Sequence, residues 1–204
     1  GHYPPEAEAD LRLSSKSHWD VAVETPQGRL HILASHPTPP VFDGPEDANG
    51  RRNADEIRFW SLYLSGDDRL IDDDGAAGGA APGPAVVLGD LNSDPADGDG
   101  RREAIRGLLA HPRLQDPEPR SAGGAEAADD GHDGDPALDT AAFGTDPGPG
   151  SIRVDYALPT SDLSVIGAGV FWPPRGDPLR RLVGEGDAVV SSDHRLVWVD
   201  VKLP

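Results

Sequence analysis

Four short segments of this sequence carry Asp, Asn and His side chains in positions suited to act on a phosphate and a divalent cation. The segments are Ala34-Ser35-His36, Gly89-Asp90-Leu91-Asn92, Arg153-Val154-Asp155-Tyr156 and Ser192-Asp193-His194-Arg195. Carboxylates accept protons or bind cations, amides donate to phosphoryl oxygens without adding charge, and histidine exchanges a proton near neutral pH. Each segment alone is equally typical of loop chemistry. Only their combination predicts a site for phosphate chemistry.

Asp90 follows residues 85–89, a continuous apolar run that is typical of a strand buried on both faces. An Asp at the carboxyl end of such a strand faces the crevice where open α/β sheets bind ligands. Asn92 lies two residues further on and therefore on the same side of the chain. Asp90 is a candidate metal ligand or proton acceptor, and Asn92 a candidate phosphate ligand.

Asp155 is the polar residue of an otherwise apolar strand, and a buried carboxylate without a partner is costly. His194 is the partner that we predict, because the carboxylate would fix the tautomer of the ring and raise the pKa of the imidazole. The alternative is a surface pair of Asp155 with Arg153 or Arg195. Asp193 is a candidate cation ligand, and it serves the same site as His194 only if the backbone bends there.

His36 ends a predicted strand over residues 29–35 and precedes a proline-rich loop, which places its ring at a strand end. Arg52 and Asn53 lie at the start of a predicted amphipathic helix over residues 53–64. An anion at that point would meet a cationic side chain and free helix amides. The alternative is a solvated helix start that Asn53 caps.

The strands and helices that must position these residues are typical of an α/β fold, and we predict a single domain. Strands are expected at 17–23, 29–35, 85–89, 152–158 and 195–201, and helices at 53–64 and 102–110. The segments 67–84 and 116–150 are rich in Gly, Ala, Pro and Asp, and we predict that they are mobile loops.

Composition restricts the class of partner. The chain has 204 residues, no Cys and a formal net charge of −18. The absence of Cys excludes disulfides and thiolate catalysis. The negative charge disfavours an extended nucleic-acid groove, although a bound cation at a local acidic pocket would still admit a phosphate. No apolar run approaches the ~20 residues that a membrane span needs.

In their order along the chain, the four segments resemble the catalytic motifs of the endonuclease/exonuclease/phosphatase family, the metal-dependent phosphoesterases related to deoxyribonuclease I. The resemblance implies part of a four-layer α/β/β/α sandwich that binds Mg²⁺, or Mn²⁺ or Ca²⁺ in its place. It implies in-line hydrolysis of phosphate esters, as in a phosphodiesterase, phosphatase or nuclease. The implied roles are water activation by Asp90, phosphate binding by Asn92, positioning of His194 by Asp155, metal binding by Asp193 and contact of His36 with the scissile phosphate.

Residues 17–21, 39–44 and 170–173 look like a secreted bacterial branch of this family that is often joined to phytase-like modules. That resemblance implies an extracellular or cell-envelope location. Family members begin with a strand carrying Asn and a strand carrying a metal-binding Glu, and neither precedes His36. The chain therefore resembles the carboxyl-terminal half of the domain, without its N-terminal portion, and an inactive fragment is an alternative expectation.

Two other functions are compatible with parts of the sequence. Asp94, Asp97 and Asp99 supply closely spaced oxygens, as in an acidic calcium-binding module without catalysis. An EF-hand is disfavoured, because Pro95 and Arg101 occupy the positions of its Gly and bidentate Glu.

A serine hydrolase would pair a serine with His194. Ser191 and Ser192 are the neighbouring serines. The Gly-x-Ser-x-Gly turn that exposes such a nucleophile in α/β-hydrolases is absent, and this reading therefore ranks last.

Overall fold

The computed structural model describes residues 3–8, 10–80, 82–145, 148–184 and 190–204. In these ranges the helices are α1 (Pro5–Glu8), α2 (Ala48–Leu64), α3 (Arg102–Leu109) and α4 (Ala122–Glu126), with short 3₁₀ helices at Pro136–Leu138 and Pro178–Leu182. The strands are β1 (His18–Thr25), β2 (Gly28–Ser35), β3 (Ala85–Asp90), β4 (Ala141–Ala142), β5 (Ser151–Ile152), β6 (Asp155–Pro159), β7 (Ser164–Phe171) and β8 (Leu196–Lys202).

The main sheet is mixed and has the strand order β1-β2-β3-β6. β1 pairs antiparallel with β2, β2 pairs parallel with β3, and β3 pairs antiparallel with β6. The parallel step requires a crossover, which α2 supplies. β4 with β5 and β7 with β8 form two further two-stranded sheets. The predicted α/β class is confirmed.

The core lies between this sheet and the two longer helices. Apolar residues of α2 and α3 recur three or four apart, as one helix face requires, and pack on alternate residues of the strands. The fully buried members of this cluster include Ile57, Trp60, Ile105, Leu33 and Val87. Burial of these side chains fixes the positions at which the central strands end.

The opposite face of β1 remains partly open to solvent. Trp19, Val21 and Val23 are 62%, 47% and 40% exposed, and they alternate with residues that face the helices. No helix of the described residues combines the length and apolar character needed to cross a bilayer.

Helix α2 begins earlier than the sequence suggested. Its first residue is Ala48, so Arg52 and Asn53 lie inside the helix and not at its start. Asp47 precedes it in a left-handed conformation, and Gly50 leaves room for the Asp47 carboxylate, since a Cβ there would lie 2.0 Å from Asp47 Oδ1. The low helix propensity of Asn and Gly in this first turn concealed the start.

The segments expected to be loops contain some regular structure. Between residues 116 and 150 the chain forms α4, one 3₁₀ helix and β4, whereas residues 67–80 and 82–84 form turns and an isolated bridge. Residues 81, 146 and 147 of these segments lie outside the described ranges. The mobility of both segments stays a prediction.

Candidate active site

Three strand ends place three of the predicted residues side by side. Asp90 and Asp155 are opposite each other in the antiparallel register of β3 and β6, so both carboxylates emerge on one face. In the parallel register of β2 and β3, Ala34 pairs with Leu88. The same register, continued by two residues, brings His36 beside Asp90.

The side chains of these residues and His194 form a contiguous cluster. His36 Nε2 lies 3.3 Å from Asp90 Oδ2, and His194 Nε2 lies 3.8 Å from the same oxygen. His194 Nδ1 lies 2.9 Å from Asp155 Oδ2. The structure therefore brings together four residues from segments that are far apart in the sequence. Asp155 pairs with His194, as expected, and not with Arg153 or Arg195.

Gly89 allows β2 and β3 to approach closely just before Asp90. Its φ is +150°, and a Cβ at this position would lie 1.9 Å from the carbonyl oxygen of Ser35. Only glycine fits this combination of backbone conformation and contact. The resulting strand spacing sets the distance between His36 and Asp90.

Asn92 lies at the site but is already engaged. Its φ of +51° is left-handed, its main-chain N–H donates to Asp90 Oδ1 at 2.8 Å, and its Nδ2 donates to the Pro37 carbonyl at 3.0 Å. Asn92 therefore ties the loop that follows His36 to the end of β3. Contact of its side chain with phosphate stays a prediction.

Arg52 and Asn53, which were expected to bind substrate, do not line the same cavity. Asn53 is fully buried, and its Nδ2 donates to the carbonyls of Thr38 and Leu91 at 2.8 and 3.0 Å. Arg52 Nη2 donates to the Arg12 carbonyl at 2.9 Å. Because both residues lie within α2, they stabilise neighbouring loops and do not present a helix start to an anion.

Thr140 is a positioning residue that sequence reasoning missed. Its Oγ1 accepts the main-chain N–H groups of Val154 and Asp155 at 3.0 and 2.9 Å, and its carbonyl accepts that of Arg195 at 2.7 Å. One residue therefore anchors both the start of β6 and the backbone beside His194. No sequence signal marked it, because it lies in a Gly-rich and Ala-rich segment.

Two carboxylates and one imidazole offer a candidate cation site. One ligand atom each of Asp90, Asp155 and His194 lies within 4.8 Å of the others. Asp193 is not part of this group, and Asp155 takes the place in it that was expected for Asp193. The backbone bends at Asp193, and its carboxylate adds a smaller raising effect to the pKa of His194. Metal binding by Asp193 stays a prediction.

The electrostatics of the cluster favour proton exchange. Burial, followed by the Asp155 carboxylate, raises the pKa of Asp90, against the lowering effects of the Asn92 amide and the two histidines. The hydrogen bond that His194 donates to Asp155 raises the pKa of His194, against a lowering effect of burial. Asp90 is therefore a competent proton acceptor, and His194 is held in its cationic form to a higher pH than a free histidine.

The cluster opens into a cavity of about 910 Å³. The lining residues are His36, Pro39, Pro40, Val41, Phe42, Asp90, Asn92, Ser93, Asp94, Asp97, Gly98, Asp99, Gly100, His132, Phe143, Gly148, Pro149, Ile152, Val154 and His194. Phe143, which the sequence did not single out, lies edge-on to the ring of His194 with centroids 5.3 Å apart. One part of the cavity is thus polar and ionisable, and another part is apolar.

The acidic segment after Asn92 is mainly structural. Both carboxylate oxygens of Asp94 and of Asp97 accept main-chain N–H groups, including those of Arg153 and Gly134. Among the described residues, these carboxylates do not join a group of three close ligand residues. Burial, followed by repulsion from Asp94 and Asp97, raises the pKa of nearby Asp139 to about 8. These contacts do not favour a calcium-binding module.

The neighbouring serines do not form a nucleophile pair with His194. Ser192 Oγ accepts the main-chain N–H of His194 at 3.0 Å, and Ser191 Oγ donates to the Leu182 carbonyl at 2.7 Å. The ring of His194 faces Asp155 and Asp90. This arrangement is incompatible with a Ser–His dyad in which the ring accepts the serine proton.

Comparisons with known proteins agree with this geometry. A family model described as "Endonuclease/Exonuclease/phosphatase family" matches residues 9–194. No curated protein matches the chain.

Solved structures with similar folds include an endonuclease/exonuclease/phosphatase from Beutenbergia cavernae, with 18% identity and a TM-score of 0.51 over 90% of this chain and 38% of that one. A 3′ phosphatase from Neisseria bound to a product DNA hairpin has 16% identity and a TM-score of 0.47, and the match covers 90% of this chain and 64% of that one. A mannosyl-6-phosphatase from Bacteroides thetaiotaomicron has 13% identity and a TM-score of 0.42, and the match covers 86% of this chain and 51% of that one. The chain thus spans between 38% and 64% of the length of these three structures.

Proposed function

Because the chain belongs to the endonuclease/exonuclease/phosphatase family, we propose that its cluster of Asp90, Asp155, His36 and His194 hydrolyses phosphate esters by in-line attack of water. The observation that carries the proposal is the convergence of two imidazoles on Asp90 Oδ2, at 3.3 and 3.8 Å, at the edge of a cavity large enough for an ester. Phosphatase and nuclease activities of similar proteins support phosphoester hydrolysis in general.

Asp90 is proposed to accept or orient the proton of the attacking water. Its pKa is raised by burial and by Asp155, so the carboxylate is more basic than a solvated one. General base assistance of this kind contributes roughly 10² to 10⁴ in rate.

His194 is proposed to stabilise the negative charge that develops on the phosphoryl oxygens. Asp155 holds its Nδ1, which leaves Nε2 directed toward Asp90 and the cavity. A protonated ring donates a charge-assisted hydrogen bond to an oxyanion more strongly than a neutral donor does. His36, half-exposed at the same rim, is proposed to contact the scissile phosphate or the leaving oxygen.

The donor set of the cluster fits a divalent cation. Asp90 and Asp155 supply the carboxylate oxygens that Mg²⁺ prefers, with ligand atoms within 4.8 Å of each other. His194 is not one of the proposed ligands, because Asp155 holds its Nδ1 and its protonated Nε2 is assigned to the phosphoryl oxygens. When bound, the cation would offset the charge of the phosphate and lower the pKa of water. Mg²⁺ is the proposed ion, with Mn²⁺ and Ca²⁺ as alternatives.

The proposed extracellular or cell-envelope location rests on the secreted branch that the sequence resembles.

The test is hydrolysis of a panel of phosphomonoesters and phosphodiesters by this chain, with Mg²⁺ or with a chelator. We expect turnover of at least one ester in Mg²⁺ and none in chelator. Asp90→Asn and His194→Gln should each lower kcat by roughly 10² to 10⁴ while changing KM far less.

The matched control is His31→Gln. His31 also contacts a carboxylate, with Nδ1 2.5 Å from Asp20 Oδ1, but it does not line the cavity. The turnover of the His31→Gln variant should equal that of the wild type. Absence of hydrolysis of every ester by the wild type, or equal turnover in all variants, would contradict the proposal.

A further inference from the structure

Phe42 is displayed at the cavity in a way that the fold does not require. Its side chain is 98% exposed and lines the cavity that contains His36 and His194. Its φ is +63°, a left-handed conformation that costs a non-glycine residue roughly 1 kcal/mol or more. A large apolar side chain that is both strained and solvated lowers stability, so its position points to a role in binding.

The loop around Phe42 is held on both sides. Asn49, in the first turn of α2, donates from Nδ2 to the Val41 carbonyl at 2.7 Å and from its main-chain N–H to Asp43 Oδ2 at 2.5 Å. Pro39 and Pro40 restrict the backbone just before this point. The exposed ring therefore projects from a fixed support.

Other apolar groups extend the same surface toward the catalytic cluster. Val41, Phe143 and Pro149 line the cavity together with Phe42. Phe143 lies edge-on to His194 at 5.3 Å between ring centroids. An apolar ring of the same cavity therefore lies against the imidazole that is proposed to act on the phosphate.

The charges of the cavity match a single phosphate and not a chain of phosphates. Among the described residues that line it there is no Lys or Arg, whereas Asp94, Asp97 and Asp99 add negative charge beside Asp90. Further phosphates of a nucleic acid would meet no Lys or Arg side chain among the described residues of this lining. An uncharged apolar or aromatic group meets no such repulsion.

From these observations we infer that Phe42 determines substrate specificity, because it binds an apolar or aromatic organic group of a phosphate ester whose phosphate lies at His36 and His194. This inference rests on the proposed function and adds the class of substrate. Phe42 contacts the organic group of the ester and not the phosphorus that water attacks. It therefore contributes to affinity and selectivity and not to the chemical step.

The test compares the binding of two ligands that cannot be hydrolysed, phenylphosphonate and methylphosphonate, by titration calorimetry in Mg²⁺. The wild type should bind phenylphosphonate about tenfold more tightly, since an aromatic contact adds to the shared phosphonate contacts. Phe42→Ala should lose this preference and keep its affinity for methylphosphonate. Phe42→Tyr should retain the preference.

Trp19→Ala is the control, because it removes another exposed aromatic ring that does not line the cavity. It should keep the tenfold preference, and its circular dichroism spectrum should match those of the Phe42 variants. Equal affinity of the wild type for both ligands, or a preference that survives Phe42→Ala, would overturn the inference and leave the proposed function intact. Binding of neither ligand would overturn the inference, whereas the proposed function is overturned only by the absence of ester hydrolysis. Tighter binding of an oligonucleotide with a terminal phosphate than of phenylphosphonate would also overturn the inference.

Discussion

At the scale of single residues, the candidate site depends on pairs of groups that alter each other's chemistry. Asp155 accepts a hydrogen bond from His194 Nδ1, and this bond directs Nε2 of the ring toward Asp90. Asp90 is in turn more basic because it is buried beside Asp155. One carboxylate thus affects both the cationic donor and the proton acceptor that the proposed reaction requires.

Asp155→Asn should lower the pKa of His194 by more than about one unit, because the variant removes the largest of the effects that raise it while burial continues to lower it. An NMR titration of the His194 ring protons in metal-free buffer measures the change. Asp200→Asn, on the exposed edge of β8, is the control and should leave the titration unaltered. A titration of His194 that is the same in all three proteins would contradict the arrangement described for the ring.

The sequence predicted the residues that carry charge but not those that hold them. His36, Asp90, Asp155 and His194 were identified because their residue types and flanking strands indicate a function. Thr140 and Phe143 carry no such mark, since they approach the site only through the pairing of the short strands β4 and β5 and the bridge of Ala141 to His194. Contacts of this kind depend on tertiary structure, which local sequence patterns do not report.

At the scale of elements, the ends of three adjacent strands create the site. β2, β3 and β6 end or begin at one edge of the sheet, and their register decides which side chains meet. The apolar run of β3 was predictable from its composition. The start of α2 was not, because Asn and Gly in its first turn are weak helix formers and Asp47 makes no side-chain capping hydrogen bond there.

Gly89→Ala should destabilise the protein by more than about 2 kcal/mol, because the added methyl group would overlap the Ser35 carbonyl at a positive φ. Urea denaturation measures the free energy of unfolding.

Gly107→Ala is the matched control within α3. A Cβ at Gly107 meets nothing within 4 Å, so alanine should stabilise the helix by about 0.5–1 kcal/mol. Equal effects of the two substitutions would show that the close approach of β2 and β3 is not needed.

At the scale of the whole molecule, acidic charge is the dominant property. The net charge of −18 comes from 36 acidic and 18 basic residues. Some of the acidic groups are buried near one another, and Asp139 is the clearest case, with its pKa raised to about 8 by burial and by its acidic neighbours. The sequence indicated the charge, but it did not indicate which carboxyl would be buried.

Asp139 should make the folded state less stable as the pH rises from about 4 to about 8. In this interval the unfolded chain loses the proton at its ordinary pKa, whereas the folded protein retains it, so ionisation favours unfolding. Asp139→Asn should therefore match the wild type near pH 4 and exceed its free energy of unfolding by more than about 1 kcal/mol at pH 8.

Urea denaturation in chelator at a series of pH values measures this difference, with Asp200→Asn as a variant of an exposed carboxylate. A gain in stability from Asp139→Asn that does not vary with pH would contradict the raised pKa. A pH-dependent gain of the same size in Asp200→Asn would show that general charge repulsion is responsible.

The spread of the cluster along the chain also determines when it can form during folding. The Asp155–His194 contact closes a loop of 39 residues, and Asp90 joins the pair from a strand further upstream. Asp155 begins β6 of the main sheet, whereas His194 precedes β8 of a separate two-stranded sheet, so the contact forms only when these two sheets have packed together. The phosphate-binding capacity should therefore arise late, as the chain completes its fold, and a partly folded intermediate would hold the helices and β3 without any competent site.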